Sequence, residues 1–262
     1  MIIDGKRAVA YFDILGFKKR IENTPLQKLS SKYEKIITQT DGRFYVKDGK
    51  IERQELCYRY IFSDSIFLIA KDDTNESFID MISYAWRMMQ MFIVSGFNLR
   101  GAVTYGELYA NIDTKVFLGQ SIVDAVILEG KQDWMGAVVD NSVIERYGSI
   151  FDDNDIQSNV LRVILPIHDV AFKDGQRKNY HVINWRVNIV SEVGIKYFFN
   201  NDENDEHVKT KIDNTLRFSK EVVESGLFNF DDRIIPERYR KLYVGHGLPD
   251  PQKPFQGLND GY

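Results

Sequence analysis

One cysteine in 262 residues, Cys57, excludes an internal disulfide and fits a reducing compartment. No apolar run approaches the roughly 20 residues that a spanning helix needs. The opening Met1-Ile2-Ile3-Asp4-Gly5-Lys6-Arg7 leads into no long apolar stretch of the secretory kind, so the expected location is the cytoplasm. Basic residues are not in excess: 34 Lys and Arg face 38 Asp and Glu, a formal charge of −4. Coating a phosphate backbone takes concentrated Lys and Arg, so nucleic acid is not an expected partner. The four histidines, His168, His181, His207 and His246, are scattered without zinc-ligand spacing. Neither the Gly-x-x-x-x-Gly-Lys-Ser/Thr phosphate loop nor the dinucleotide glycine fingerprint occurs.

What is present is the composition of an ordinary soluble globule, 44% hydrophobic and 27% charged. Residues 7–13 read as a buried strand. Gly16 then turns the chain into a helix reaching about Thr40, broken or restarted at Pro25. Residues 43–50 resemble a hairpin arm with Asp48-Gly49 as its turn. Residues 56–62 and 65–70 form two strands joined tightly at Ser63-Asp64. Thr74 or Asn75 caps a helix to about Ser95, stopped by Gly96. Its stripe of Phe78, Met81, Ile82, Ala85, Met88, Phe92 and Ile93 has helical spacing and reads as core. A strand over 99–105 ends in Gly106-Glu107, a helix spans 120–129, and 137–139 is a short strand. This order is that of a split β-α-β, ferredoxin-like core. The expected class is α+β, an antiparallel-dominated sheet with helices on one face. The segments 160–165 and 180–185 extend it as a long hairpin around Lys173-Asp174-Gly175. A polar loop over 200–206 and a helix over 207–225 follow, and beyond Pro236 the chain reads as an extended arm.

Two acidic residues stand out. Asp13 closes the apolar run Ala8-Val9-Ala10-Tyr11-Phe12, and Asp64 follows Tyr60-Ile61-Phe62-Ser63. A carboxylate at the end of a buried strand is costly unless paired, hydrogen-bonded or metal-bound. Each could cap a turn or helix start. Together they could hold divalent cations, which take oxygen ligands and bring phosphates with them. A phosphatase that starts from an aspartate after its first strand needs Asp-x-Asp, and here the third position is Leu15.

The phrase Phe12-Asp13-Ile14-Leu15-Gly16-Phe17 resembles the first metal-binding strand and turn of the class III nucleotide cyclases. Ser63-Asp64 is similar to that family's Gly-Asp hairpin. Arg100-Gly101-Ala102-Val103-Thr104-Tyr105-Gly106-Glu107 is similar to its Arg-bearing strand and Thr-Gly-Glu turn, and 119–129 to its next helix. The resemblance covers about residues 7–145. It implies a palm-type catalytic domain over 1–200, with the helix and arm of 201–262 belonging to it. It also implies two Mg²⁺ or Mn²⁺ ions on Asp13, Asp64 and the Ile14 carbonyl. Backbone N–H groups of Leu15, Gly16, Phe17 and Lys18 would cradle phosphate oxygens.

The departures point within the family. Its base-reading positions fall on Tyr60 and Val116, which cannot reproduce the hydrogen bonds that purines require. Its transition-state Asn and Arg fall on Val123 and Ile127. This combination resembles the bacterial Pycsar pyrimidine cyclases, which implies conversion of UTP or CTP to cyclic UMP or cyclic CMP in antiphage signalling. The same resemblance implies a homodimer, with Arg59, Arg100, Lys115 or Lys131 as replacement cations at the substrate. The alternatives are a catalytically silent cyclase-like nucleotide-binding module and a purine cyclase.

Overall fold

A computed structural model describes residues 1–40, 42–47, 50–152, 163–186 and 205–224. The chain divides into two compact units, Met1–Phe218 and Ser219–Tyr262. Of the second, only the final turns of one helix, up to Glu224, are described. The boundary expected near residue 200, the Asp48-Gly49 turn and the arm beyond Pro236 lie outside the described residues.

The first unit opens with β1 (Ile2–Ile14), α1 (Phe17–Asn23) and α2 (Leu26–Thr40), with Pro25 between the two helices. The hairpin β2 (Arg43–Lys47) and β3 (Lys50–Gln54) forms a sheet of its own. Then come β4 (Tyr58–Phe62), β5 (Ser65–Ile69), α3 (Asn75–Val94), β6 (Leu99–Asn111), β7 (Val116–Leu118), α4 (Gln120–Lys131) and β8 (Gly136–Val139). The further described elements are α5 (Asn141–Tyr147), α6 (Ser149–Asp152), β9 (Ile164–Ala171), β10 (Arg177–Ile183) and α7 (Glu206–Glu224). The main sheet has the order β4-β5-β1-β6-β8-β10-β9, with β7 added to β6. Every pairing is antiparallel except β6 with β8. The class is therefore α+β with an antiparallel-dominated sheet.

The helices are shared between the two faces rather than gathered on one. Ala10 pairs with Leu68 and Val103, and Leu68 with Arg59. Arg59 donates to the Tyr84 hydroxyl of α3 at 2.6 Å, which puts α3 over that face. The expected stripe from Phe78 to Ile93 is fully buried there. Of the two expected caps, Thr74 is the one that caps α3, accepting from the Ser77 N–H at 3.2 Å. Val9, one residue out of step, faces the other way and packs with Ile69, Leu108 and Ala110 against Ile122 of α4. Thr104 ties that face to α4 by donating to the Ser121 carbonyl at 2.7 Å.

Two strands run further than the sequence reading placed them. β6 does not stop at Gly106-Glu107, because both stay paired, with Arg7 and Lys6 of a lengthened β1. Alternation carries the strand on: Leu108 and Ala110 are buried while Glu107 and Tyr109 are exposed. Gly101 has to be glycine, since a Cβ there would lie 2.4 Å from the Phe12 ring. The β9–β10 hairpin packs near α7. Asn214 donates to the Asp133 carbonyl at 2.8 Å, Thr215 accepts from the Met135 N–H at 2.9 Å, and Phe218 meets Trp134 edge-on.

Candidate functional site

Asp13 lies one residue from the end of β1, in register with Ser65 on one neighbouring strand and Arg100 on the other. All three therefore share the α4 face. Asp64 sits at the tip of the β4–β5 hairpin. That tip is docked onto β1 by the Ile14 N–H, which donates to the Asp64 carbonyl at 3.1 Å. From α2, the Tyr33 hydroxyl reaches the Ser63 carbonyl at 3.4 Å. Ser63 has φ +57°, a left-handed conformation where glycine is the unstrained residue. The fold thus brings together the two carboxylates that the sequence singled out, with the Ile14 backbone between them.

Among the described residues, neither carboxylate has a hydrogen-bond or ion-pair partner. Burial pushes the Asp13 pKa up to about 6, and the negative charges of Glu129 and Asp64 add to the rise. Arg100 and Lys173 oppose it without cancelling it. Half-buried acids left uncompensated in this way attract a cation. Among the described residues no group of three or more His, Cys, Asp and Glu is disposed to hold a metal. Two carboxylates with a backbone carbonyl fit ions that complete their shells with water or phosphate oxygen, as Mg²⁺ does.

Arg100 has a different setting from the one expected of a substrate contact. Its guanidinium is buried, bound to Glu129 at 2.5 Å and to the Gln132 carbonyl at 3.0 Å. Gln132 in turn donates to the Gly101 and Leu128 carbonyls and accepts from the Trp134 indole. This network locks the end of α4 to β6 beneath Asp13. Arg59 lies on the opposite face, with Tyr84. The Leu15 N–H is taken by the Asn98 carbonyl at 2.9 Å, which removes it from the expected phosphate cradle. Gly16, at φ +72°, starts α1 with no side-chain cap. The Phe17 side chain is buried, edge-on to Tyr33, and Lys18 is exposed.

Tyr60 and Val116 come from neighbouring elements. The Tyr60 ring packs on Phe117 at 4.3 Å between centroids, and Val116 beside it is 42% exposed. Two residues near Asp13 escaped the sequence reading as site residues. Glu129 is buried, and Lys173 sits on the β9–β10 turn, its N–H donating to the Lys131 carbonyl at 2.8 Å. Burial and Arg100 hold the Lys173 pKa below its usual value. Its proximity to Asp13 depends on a hairpin distant in sequence; the turn motif Lys173-Asp174-Gly175 was the only sign of it. Tyr11 also lies on this face, its hydroxyl 3.1 Å from that of Ser65.

No protein-family model matches this chain, and no curated protein matches it. Several solved structures do. The adenylyl cyclase CyaB from P. aeruginosa is 15% identical over 71% of this chain and 97% of its own, with a TM-score of 0.43. The guanylate cyclase domain of RhGC from Catenaria anguillulae, in complex with GTP, is 13% identical over 71% of this chain and 100% of its own, at 0.44. The catalytic core of a rhodopsin-guanylyl cyclase with converted specificity, in complex with ATPalphaS, is 12% identical over 70% and 97%, at 0.46. Similarities this remote assign no chemistry; that rests on the residues of this chain. Among the described residues no helix is long and apolar enough to cross a membrane.

Proposed function

We propose that this protein is a metal-dependent nucleotide cyclase of the class III type acting on a pyrimidine nucleoside triphosphate. The observation that carries the reading is the pair of carboxylates without partners, Asp13 and Asp64, joined through the Ile14–Asp64 backbone bond and near enough that the Asp64 charge raises the Asp13 pKa. Asp13, Asp64 and the Ile14 carbonyl would hold two Mg²⁺ or Mn²⁺ ions, which lower the pKa of a ribose 3′-hydroxyl and neutralise a triphosphate. In the reaction the 3′-oxygen bonds to the α-phosphorus, the bond to the β-phosphate oxygen breaks, and pyrophosphate leaves. The hydroxyl proton passes to solvent. Lys173 and the exposed Lys18 supply positive charge at the rim for the phosphates.

Tyr60 and Val116 favour a pyrimidine, since one phenol hydroxyl and an isopropyl group do not reproduce the donor and acceptor pattern of a purine edge, and the bulky Tyr60 fills space that a smaller ring leaves. A role in antiphage signalling rests on the resemblance to the Pycsar cyclases. A homodimer is supported by α4, which exposes Val123, Val126 and Ile127 beside the exposed Leu118 of β7. Apolar side chains grouped this way on a soluble protein mark an interaction surface. The same Val123 and Ile127 favour the second reading, a nucleotide-binding module without turnover, because they carry no group to stabilise a transition state. The test is incubation with each of the four NTPs and Mn²⁺, with products identified by mass spectrometry. Cyclic UMP or cyclic CMP is the expected product. Binding without any cyclic product would establish the second reading instead.

A further inference from the structure

Beside Tyr60, at the outer edge of the main sheet, lies a cavity of about 350 Å³. That volume is within the range of pockets that take small ligands. Tyr58, Tyr60, Arg59, Tyr84, Cys57 and Lys115 are among the residues lining it. Two of its cations have distinct settings. Arg59 is held by the Tyr84 hydroxyl. The exposed Lys115 instead places its ammonium over the Tyr60 ring, 5.4 Å from the centroid.

Lys115 is also one of two described non-glycine residues with positive φ, at +60°. That conformation is strained for a residue with a Cβ, and such strain gathers at functional sites. It lies in the β6–β7 turn. The neighbouring Phe117 packs on Tyr60 and belongs to the apolar cluster on the face that carries Asp13. Tyr60 is four residues from Asp64, about 13 Å along a strand, within reach of a nucleotide whose phosphates sit at the carboxylates.

We infer that Lys115 reads the exocyclic group at position 4 of the pyrimidine ring and selects uracil over cytosine. This rests on the nucleotide reading proposed above and extends it to the base. An ammonium has three donors and no acceptor. Uracil presents a carbonyl oxygen at position 4, which accepts from it; cytosine presents an amino group there, which only donates. Against cytosine a donor meets a donor, and both are left unpaired. The Tyr60 ring under the ammonium keeps it in place by cation–π attraction.

The test is calorimetric titration of the full chain with the α,β-methylene analogues of UTP and CTP, which cannot lose pyrophosphate, in Mg²⁺. The wild type is expected to bind the uracil analogue at least about tenfold more tightly, the low end for a charge-assisted hydrogen bond. Lys115→Met keeps most of the length of the side chain without its charge and should bring the two affinities together. Lys115→Glu supplies an acceptor for the cytosine amino group and should invert the order. Equal affinities in the wild type, or an unchanged ratio in Lys115→Met, would overturn the inference and leave the nucleotide reading standing. Failure of the wild type to bind either analogue would overturn both.

Discussion

The two faces of the central sheet are built from the same strands by opposite rules. Under α3, β1 and its neighbours present Ala8, Ala10, Phe12, Leu68 and Val103, and each is fully buried. Under α4, one residue out of step, they present Tyr11, Asp13, Ser65, Arg100 and Thr104. The first face is closed mainly by apolar packing, with the Arg59–Tyr84 hydrogen bond at its edge. The second holds a buried ion pair, the uncompensated Asp13 with Asp64 docked near it at the hairpin tip, and a helix whose outer side is exposed and apolar. A face arranged only for stability would neither strand two acids nor leave valines on a helix surface. On the proposed function, stability falls to one side of the sheet and chemistry to the other.

The comparison breaks most visibly at the carboxylates. Asp13→Ala or Asp64→Ala is expected to cut turnover at least about a hundredfold while keeping the native circular dichroism and a cooperative melting transition. Full activity in either variant would end the metal assignment. On the α3 face the pattern reverses. Phe12→Ala should cost about 3–5 kcal/mol of stability through the cavity it leaves, read by chemical denaturation, with metal affinity of the folded fraction preserved.

Glu129→Ala sits between the two. It strands the buried Arg100 charge and should cost about 3–5 kcal/mol. It also removes a negative charge from Asp13, so the Asp13 pKa should fall, measurable by carbon-detected NMR of the side-chain carboxyl. If Glu129→Ala lost stability without moving that pKa, the ion pair would serve the fold alone. A smaller effect is expected at the surface. Ile127→Glu should shift the chain from dimer to monomer in analytical ultracentrifugation with a stability change below about 0.5 kcal/mol per chain. The smallest is at the hairpin tip, where Ser63→Gly relieves a left-handed residue against glycine's extra conformational entropy, for a net gain below about 0.5 kcal/mol, seen as a higher denaturant midpoint. No change there would mean the strain at the serine does not exceed that entropy cost.

The α3 face was legible in the sequence because its signals are local. The 3.6-residue stripe of Phe78 to Ile93, the Thr74 cap and the Gly96 stop all lie within one helix. Asp13 and Asp64 were legible for a related reason: each ends an apolar strand, and a charge in that position stands out. What escaped came from contacts between distant segments. Glu129 looked like the last residue of an amphipathic helix until Arg100, 29 residues earlier, was found against it. Lys173 belongs to a hairpin whose place beside α4 is set by backbone bonds to Lys131 and Asp133. The continuation of β6 was readable from the alternation of Glu107, Leu108, Tyr109 and Ala110. Gly106 masked it, because glycine in a strand is a turn signal as often as a paired residue.

The central claim is that Asp13 and Asp64 form an uncompensated cation site, and the pH dependence of stability tests it most directly. In the folded chain Asp13 holds its proton up to about pH 6, whereas in the unfolded chain it releases it near 3.8, the ordinary value for an aspartate. Between those limits the folded state binds more protons, so this residue's contribution to stability declines as pH rises and then levels off. The quantity to measure is the difference in unfolding free energy between wild type and Asp13→Asn, from pH 4 to 8, with and without Mn²⁺. Without metal, the wild type should lose ground to the variant as pH rises through 4 to 6, by about 1–2 kcal/mol after solvent screening. With millimolar Mn²⁺ at pH 7 the order should reverse, because only the wild type gains binding energy. A difference independent of pH, together with no response to Mn²⁺, would contradict the account.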